Sequence, residues 1–284
     1  MGTAAASQAT MAAATSEEAR EGPREERWRT SGRAWGARAA DWAYLFEPCS
    51  RPANLRLLDE LGVGAGTRLL DVACGSGLAL RTAADRGAIV SGIDAAEGLV
   101  DIARIRTPDA DIRVGDMFDL PFDDDTSDVV TSFNGIWKGC EQALVEARRV
   151  LRPGGVVGLT FWGDYERLGL MPYFVKVIEL SPPSHGVATV EQGDTGRHGV
   201  VEEMLVTAGF EPTGRGEVTV VNEWPDVATA VRALSAAGPS VPAIGQVGYE
   251  RFGAELALAL APMVADHLGL RVASEWGWVT ARAR

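Results

Sequence analysis

The chain has 284 residues, of which 46% are hydrophobic and 23% are charged, the balance of an ordinary soluble globular protein. This length allows one large domain or two small ones, and either can bury a sizeable core. The 39 acidic residues outnumber the 27 basic ones, and the formal net charge of −12 argues against a protein that coats nucleic acid or docks on anionic membranes.

The first 30 residues show no targeting signal. Residues 4–15 are small but lack an apolar h-region, and residues 16–30 are dense in Glu and Arg. We therefore expect residues 1–30 to form a disordered tail, because they offer little apolar material to fold around. The sequence contains no run of 18 apolar residues, which predicts that no segment spans a membrane.

Cysteine and histidine are sparse. Three scattered cysteines predict no disulfide framework and favour a reducing cytoplasm as the location of the protein. With the three histidines they form no ligand-spaced cluster, so we expect no metal site; these residues are Cys49, Cys74, Cys140, His185, His198 and His267. Six aspartates between residues 116 and 128 lack the glycine and glutamate spacing of a calcium loop, which indicates a solvated loop.

Strands and helices alternate from residue 31 to residue 161. Trp35, Trp42 and Phe46 lie on one face of a helix predicted within residues 31–46, which either packs on the core or covers a ligand. Strands are predicted at residues 68–72, 88–94, 112–114, 129–133 and 156–161, and helices at 78–86, 97–106 and 140–151. This alternation implies crossover connections and a mainly parallel, Rossmann-like α/β sheet with helices on both faces.

The second half of the chain is less regular. Apolar periodicity predicts helices at residues 168–180, 200–208, 226–237 and 249–267, with a loop at 181–198 and strands at 217–224 and 276–280. Asp226 is a good N-cap for the third of these helices, and Gly209 follows the second at a C-cap position.

The segment at residues 69–77 carries the chemistry. An apolar strand ends at Val72, glycines follow at positions 75 and 77, and a helix then begins. Because Gly75 and Gly77 have no side chains, the backbone can approach a ligand closely there. The carboxyl ends of strands in an open α/β sheet are where such ligands bind.

Asp94 ends the second strand, 17 residues after Gly77. A carboxylate at that place can accept both hydrogen bonds of a ribose diol. Its spacing to Glu97 also resembles a helix capping box, although such a box prefers Ser or Thr at the first position. The sequence alone leaves both roles open.

The third and fourth strands also end in polar residues. Asp116 and Met117 follow the third strand, where a carboxylate and a thioether could meet the amino group and the face of an adenine. Asn134 ends the fourth strand, and its simplest role is that of a turn residue.

Taken together, these segments resemble the class I S-adenosylmethionine-dependent methyltransferases, in particular the small-molecule subgroup that includes the ubiquinone and menaquinone C-methyltransferases. The matching segments occur in the family's order at residues 69–77, 92–94, 114–117, 128–130 and 151–155. The resemblance is strong over residues 60–165 and weak beyond them.

The resemblance implies a seven-stranded sheet whose last strand is antiparallel and inserted next to the fifth. It implies one domain at residues 31–284, with lid insertions at about 164–198 and 226–268 over a small-molecule substrate. The cofactor would be S-adenosyl-L-methionine, held by Asp71, Gly75, Ser76, Gly77, Asp94, Asp116, Met117, Asn134 and, from the N-terminal helix, Trp35.

The competing cofactor is NAD. Its fingerprint needs a third glycine three residues after the second, and Leu80 stands there. The turn of Pro153, Gly154 and Gly155 also has no role in that fingerprint. The methyl donor therefore fits the sequence better.

A catalytic base is not evident. His185, His198, Glu166 and Glu223 are weak candidates, and each has an ordinary role as an exposed side chain. The acceptor would be a small molecule, with apolar compounds among the candidates. The alternatives are a non-catalytic cofactor-binding module of the same fold and, less favoured by the acidic charge, an RNA or protein methyltransferase. The sequence leaves a monomer and a homodimer equally open.

Overall fold

The computed structural model describes residues 24–183, 194–265 and 268–284. Its helices are α1 (Arg24–Gly36), α2 (Arg51–Glu60), α3 (Leu78–Asp85), α4 (Glu97–Arg106), α5 (Glu141–Val150), α6 (Met171–Leu180), α7 (Val200–Thr207), α8 (Val227–Ser235), α9 (Ser240–Val247) and α10 (Tyr249–Leu260). Its strands are β1 (Arg68–Val72), β2 (Ile89–Asp94), β3 (Asp111–Val114), β4 (Ser127–Phe133), β5 (Leu151–Trp162), β6 (Phe210–Trp224), β7 (Val264–Ala265) and β8 (Gly269–Ala283). Short helical turns at Ala39–Asp41, Trp42–Phe46 and Glu47–Ser50 join α1 to α2.

One mixed sheet organises the chain, in the strand order β3-β2-β1-β4-β5-β8-β6, with β7 paired to β8. Strands β1 to β5 are parallel, and β8 runs antiparallel between β5 and β6. This confirms the predicted Rossmann-like α/β sheet, including the antiparallel last strand next to the fifth. The parallel strands are joined by crossover connections, because a hairpin can join only antiparallel neighbours.

Two hydrophobic cores cover the two faces of the sheet. Alternate residues of each strand point to opposite faces, so Val130 packs towards α5 and α7 whereas Val129 packs towards α2, α3 and α4. Both faces are therefore dry, which explains why the strands are apolar along most of their length.

A third core lies above the carboxyl ends of the parallel strands. Strands β6 and β8 continue past the end of β5, from the level of Trp276 to the pairing of Trp224 with Leu270. Helices α6, α8, α9 and α10 pack on this extension together with Phe46 from the N-terminal turns. We call this assembly the cap; the described parts of residues 164–198 and 226–268 contribute to it.

Several predicted boundaries differ from the structure. The helix predicted through residue 267 ends at Leu260, because Pro262 follows in a short 3₁₀ turn. Strand β5 begins at Leu151 rather than at residue 156, and residues 152–155 form a bulge between the pairings of Leu151 and Val156 with β4. Helices α2 and α9 have no counterpart among the predicted elements.

The N-terminal helix also begins earlier than expected. Helix α1 starts at Arg24, so residues 24–30 are helical rather than part of the predicted tail. Further along α1, Gly32 lies so close to the turn before α4 that an added Cβ would be 2.0 Å from the carbonyl oxygen of Ala95. Among the described residues, no helix is long and apolar enough to cross a membrane.

Candidate functional site

The candidate site lies at the carboxyl edge of the sheet, where β1 has β2 on one side and β4 on the other. The strand order reverses there, which is where open α/β sheets bind ligands. Two residues of this edge, Ala73 after β1 and Asn134 after β4, have left-handed backbones with φ of 59° and 56°. Strained residues of this kind cluster at functional sites.

The glycine loop, residues 73–77, connects β1 to α3. Gly75 and Gly77 have φ of 55° and 78°, a conformation that favours glycine. Gly77 also lies against α4, where an added Cβ would be 2.8 Å from the Cβ of Ala103. Glycine is therefore favoured at both positions by backbone conformation and, at Gly77, by close packing as well.

Asp71 lies at the end of β1, just before the glycine loop, and is 1% exposed. The Thr131 hydroxyl donates a 2.8 Å hydrogen bond to its Oδ1. Burial raises the pKa of this carboxyl to about 8, and the nearby Asp94 and Glu47 carboxylates add to the shift. Asp71 is thus a buried acid whose proton is exchangeable near neutral pH.

Asp94 joins the glycine loop to the start of α4. Its Oδ2 accepts a 2.8 Å hydrogen bond from the Gly75 backbone N–H, and its Oδ1 accepts one of 2.8 Å from Ala96. Burial raises the pKa of this carboxyl. The bonds from Ala96 and Ala95 support the turn before α4, and the carboxylate keeps capacity for a further donor.

Two charged residues that sequence reasoning missed complete the loop. Glu47, 8% exposed, accepts hydrogen bonds from the Ser76 hydroxyl and from Arg106 Nη1, the latter at 2.5 Å. Arg106 also donates to the Ser76 carbonyl oxygen at 3.0 Å and to the Ala43 carbonyl oxygen at 2.9 Å. Nothing in the local sequence signals this cluster, because its members come from three separate segments.

Trp42, rather than Trp35, is the indole placed at the loop. A Cβ added to Gly75 would lie 3.9 Å from Trp42 Nε1. Trp42 stacks on Phe46 with ring centroids 4.6 Å apart, and Trp35 packs edge-on against Trp42 at 4.9 Å. Trp35 therefore lies behind Trp42, where Gly238 also contacts its ring.

The ends of β3 and β4 lie along the same edge. The Gly115 N–H donates to the Asp94 carbonyl oxygen at 3.0 Å, which places Asp116 and Met117 beside the end of β2. Asp116 Oδ1 accepts a 2.9 Å hydrogen bond from the Phe118 N–H, and Met117 packs partly on the core.

Asn134 carries an unsatisfied polar atom. Its Oδ1 is buried and has no hydrogen-bond partner among the described residues. Since buried polar atoms are nearly always paired, such an atom at a candidate site indicates a missing donor.

The candidate bases do not converge on this edge. His198 is exposed, and Glu223 is exposed and paired with Arg271 at 3.0 Å. Glu166 is exposed in a short turn, and His185 lies outside the described residues. Within the described part of the chain, no group of three or more His, Cys, Asp or Glu residues is placed to hold a metal ion.

An aromatic cluster links the site to the cap. Trp162, at the carboxyl end of β5, contacts Phe46, Phe174 and Trp276 with centroid distances of 6.4, 5.3 and 4.9 Å. Together with Trp42 these rings give the space above the parallel strands an apolar, aromatic boundary.

This arrangement is a glycine loop with a row of polar side chains at the carboxyl edge of a Rossmann-like sheet. Residues 70–159 match the family model described as a methyltransferase domain. The matched segment is about a third of the chain, and the match agrees with the resemblance to the class I S-adenosylmethionine-dependent methyltransferases seen in the sequence.

Similar proteins share this region or the whole fold. The demethylmenaquinone methyltransferase of Renibacterium salmoninarum is 39% identical over 101 residues, which cover 35% of this chain and 43% of that protein. The match thus spans less than half the length of that relative. The [4+2]-cyclase SpnF is 21% identical with a TM-score of 0.53, over 81% of this chain and 80% of SpnF. The geranyl diphosphate C-methyltransferase of Streptomyces coelicolor, solved with S-adenosyl-L-homocysteine, is 18% identical with a TM-score of 0.50, over 83% of this chain and 81% of that one.

Proposed function

We propose that the protein binds S-adenosyl-L-methionine at the carboxyl edge of β1, β2 and β3 and transfers its methyl group to a small-molecule acceptor. The observation that carries this proposal is the glycine loop held between Asp71 and Asp94 at the point where the strand order reverses. A methyltransferase family match over residues 70–159 supports it, as does the name of the Renibacterium relative.

The residues of the edge fit this cofactor. Asp94 has oxygens available for the ribose hydroxyls, and the glycine loop offers backbone at close range to the methionine portion. Asp116 and Met117 border the position of the adenine, next to the end of β2. The unpaired Oδ1 of Asn134 is an acceptor that no described residue satisfies, and the methyl-donor pocket lies at the end of β4 in this assignment.

The protein's contribution is positioning. When bound, S-adenosylmethionine supplies an activated methyl group, and its sulfur keeps the electron pair of the broken carbon–sulfur bond. The chain then has to hold the acceptor atom in line and exclude water, which supplies about 7–11 kcal/mol in favourable cases. We assign no base for removal of the acceptor's proton.

The aromatic boundary supports an apolar or aromatic acceptor. Phe46 contacts both Trp42 and Trp162 above the parallel strands. Residues 164–198 and 226–268 would act as lids within a single domain at residues 31–284. The net charge of −12 supports an acceptor other than nucleic acid, and three buried free cysteines suit the cytoplasm.

Titration calorimetry tests the proposal directly. We expect wild type to bind S-adenosylmethionine, and Asp94→Ala to weaken binding by at least about tenfold, because a ribose diol would lose two hydrogen bonds to a charged group. Asp101→Ala is the matched control, since Asp101 lies on the exposed side of α4. Absence of binding by wild type would overturn the proposal.

Transfer itself needs a separate assay. Incubation with methyl-labelled donor and a panel of apolar and aromatic metabolites should label one class of acceptor. SpnF shows that this fold also hosts a cyclase, so binding without labelling of any acceptor would favour a cofactor-binding module. Labelling of RNA or protein alone would favour the macromolecular alternative.

A further inference from the structure

We propose that Glu47 selects the positively charged methyl donor over its neutral, demethylated product. This inference rests on the proposed function and adds to it a specificity residue from outside the methyltransferase domain match. Glu47 lies in the short turns between α1 and α2, before the matched region at residues 70–159 begins. Its carboxylate nevertheless lies at the centre of the glycine loop.

The position of Glu47 is set by the loop itself. A Cβ added to Gly75 would lie 3.6 Å from Glu47 Oε1, within van der Waals contact, so this carboxylate oxygen is a direct neighbour of the loop at Gly75. On the other oxygen, Oε2, Glu47 accepts from the Ser76 hydroxyl and from Arg106. Oε2 is therefore held by the loop and α4, and Oε1 lies towards Gly75; the carboxylate also accepts a backbone hydrogen bond from Leu78 at the start of α3.

Three carboxylates and one guanidinium surround the loop. Asp71 and Asp94 belong to β1 and β2, Glu47 comes from the N-terminal turns, and Arg106 ends α4. Coulombic repulsion couples the carboxylates, since Glu47 acts on both Asp71 and Asp94. With Asp71 protonated and the other three groups ionised, the cluster has a net charge of −1, and it is held in a poorly solvated environment.

A surplus of buried negative charge favours a cationic ligand. S-adenosylmethionine has an ammonium, a carboxylate and a sulfonium, so its net charge is +1. S-adenosylhomocysteine has lost the sulfonium charge with the methyl group, so it is neutral overall. Because charges interact more strongly in a low-dielectric site than in water, the carboxylate cluster would hold the donor more tightly than the product. The site would therefore have a lower affinity for S-adenosylhomocysteine than for S-adenosylmethionine.

Glu47 contributes to this selection in a way that Asp71 cannot. The side chain that donates to Asp71 is the neutral Thr131 hydroxyl, and burial raises the pKa of Asp71 to about 8, so near neutral pH this carboxyl is largely protonated. Burial raises the pKa of Glu47, and the hydrogen bonds from Ser76 and from the paired Arg106 guanidinium oppose that shift. Glu47 therefore has a fixed cation beside it that supports its charged form, which Asp71 lacks among its hydrogen-bond donors.

The N-terminal turns are fastened at both ends of this contact. The Trp224 indole N–H donates a 2.8 Å hydrogen bond to the Leu45 carbonyl oxygen, and Arg106 Nη2 donates to the Ala43 carbonyl oxygen at 2.9 Å. Residues 42–47 are thus held to the cap on one side and to α4 on the other. This holds the Glu47 carboxylate at a fixed distance from the loop.

Binding measured with three probes tests the inference. S-adenosylmethionine and sinefungin, in which a protonated amine replaces the sulfonium, have the extra positive charge, and S-adenosylhomocysteine does not. In Glu47→Gln we expect affinity for the two cationic probes to fall by about tenfold and affinity for S-adenosylhomocysteine to change by less than about threefold. Glu60→Gln is the control, because Glu60 pairs with Arg56 on α2, away from the loop.

The ratio of affinities separates selection from structural damage. A merely structural role of Glu47 would weaken all three probes alike, and an unchanged donor-to-product ratio in folded Glu47→Gln would overturn the inference. If Glu47→Gln does not fold, Glu47→Asp provides the test, because it keeps the charge but moves it back by one methylene group. We expect its donor-to-product affinity ratio to fall by about two- to fivefold. An unchanged ratio in Glu47→Asp overturns the inference. Failure of wild type to bind any probe would instead overturn the proposed function.

Discussion

Glu47 and Arg106, 59 residues apart in the chain, form an ion pair of 2.5 Å across the glycine loop. The side chains of both are largely buried, at 10% and 19% exposure. Ser76, within the loop, donates to Glu47 and accepts from Arg106. The pair thus connects the N-terminal turns, the glycine loop and the end of α4 in one cluster.

Removal of one partner of this ion pair should lower the stability of the protein. In Arg106→Met the Glu47 carboxylate stays buried without its cation, and we expect the free energy of unfolding to fall by about 3 kcal/mol. Urea denaturation followed by circular dichroism measures the change. Arg56→Met provides the matched control, because the Arg56–Glu60 pair is exposed on α2 and is worth less than about 1 kcal/mol. Equal losses in the two variants would show that the buried pair has no special weight.

The stability of the protein should decrease as pH rises through the neutral range. The pKa of Asp71 is about 8 in the folded protein and about 3.9 when unfolded. The folded carboxyl thus keeps a proton that the unfolded one releases, so its contribution is complete below about pH 4 and is lost as pH rises to about 8. Burial raises the pKa values of Asp94 and Glu47 as well, with the same sign.

Asp71→Asn isolates this effect. The amide cannot titrate, so the slope of unfolding free energy against pH should become flatter between about pH 5.5 and 8, by at most about 1.4 kcal/mol per pH unit. Chemical denaturation at several pH values gives the slope. Asp59→Asn, at an exposed position on α2, should leave it unchanged. A slope in Asp71→Asn equal to that of wild type would contradict the assignment.

Ala73 stores backbone strain at the start of the glycine loop. Its φ of 59° costs an L-residue about 1–2 kcal/mol, whereas glycine adopts this conformation without penalty. We therefore expect Ala73→Gly to raise the free energy of unfolding by up to about 1 kcal/mol, after the loss of a methyl contact near Gly135. Ala79→Gly, in the first turn of α3, should lower it by about 1 kcal/mol. Urea denaturation of the two variants side by side checks the opposite signs.

The sequence predicted those features of the fold and site that depend on a local pattern of residues. The apolar strands, the glycine loop and the polar residues at strand ends are each visible within about ten residues of sequence, and the family's order of segments supplied the sheet topology. The Glu47–Arg106 pair could not be found in this way, because its members have no common periodicity and meet only after β1 and β2 have paired. The end of α10 at Leu260 depends on Pro262, which the apolar periodicity through residue 267 obscured.

The positions of Trp35 and Trp42 show where a prediction from helical spacing differs from the tertiary structure. Helical spacing put Trp35 and Trp42 on one face, and Trp35 was assigned to the cofactor; in the structure Trp42 lies beside Gly75 and Trp35 lies behind it. We expect Trp42→Leu to weaken S-adenosylmethionine binding by about tenfold, because a stacked indole beside the ligand is worth about 1 kcal/mol or more. Trp35→Leu should weaken it by less than about threefold, since its ring contacts Gly238 and Trp42 rather than the loop. Calorimetry on both variants, with thermal melts to confirm folding, measures the difference, and a larger loss in Trp35→Leu would return the role to Trp35.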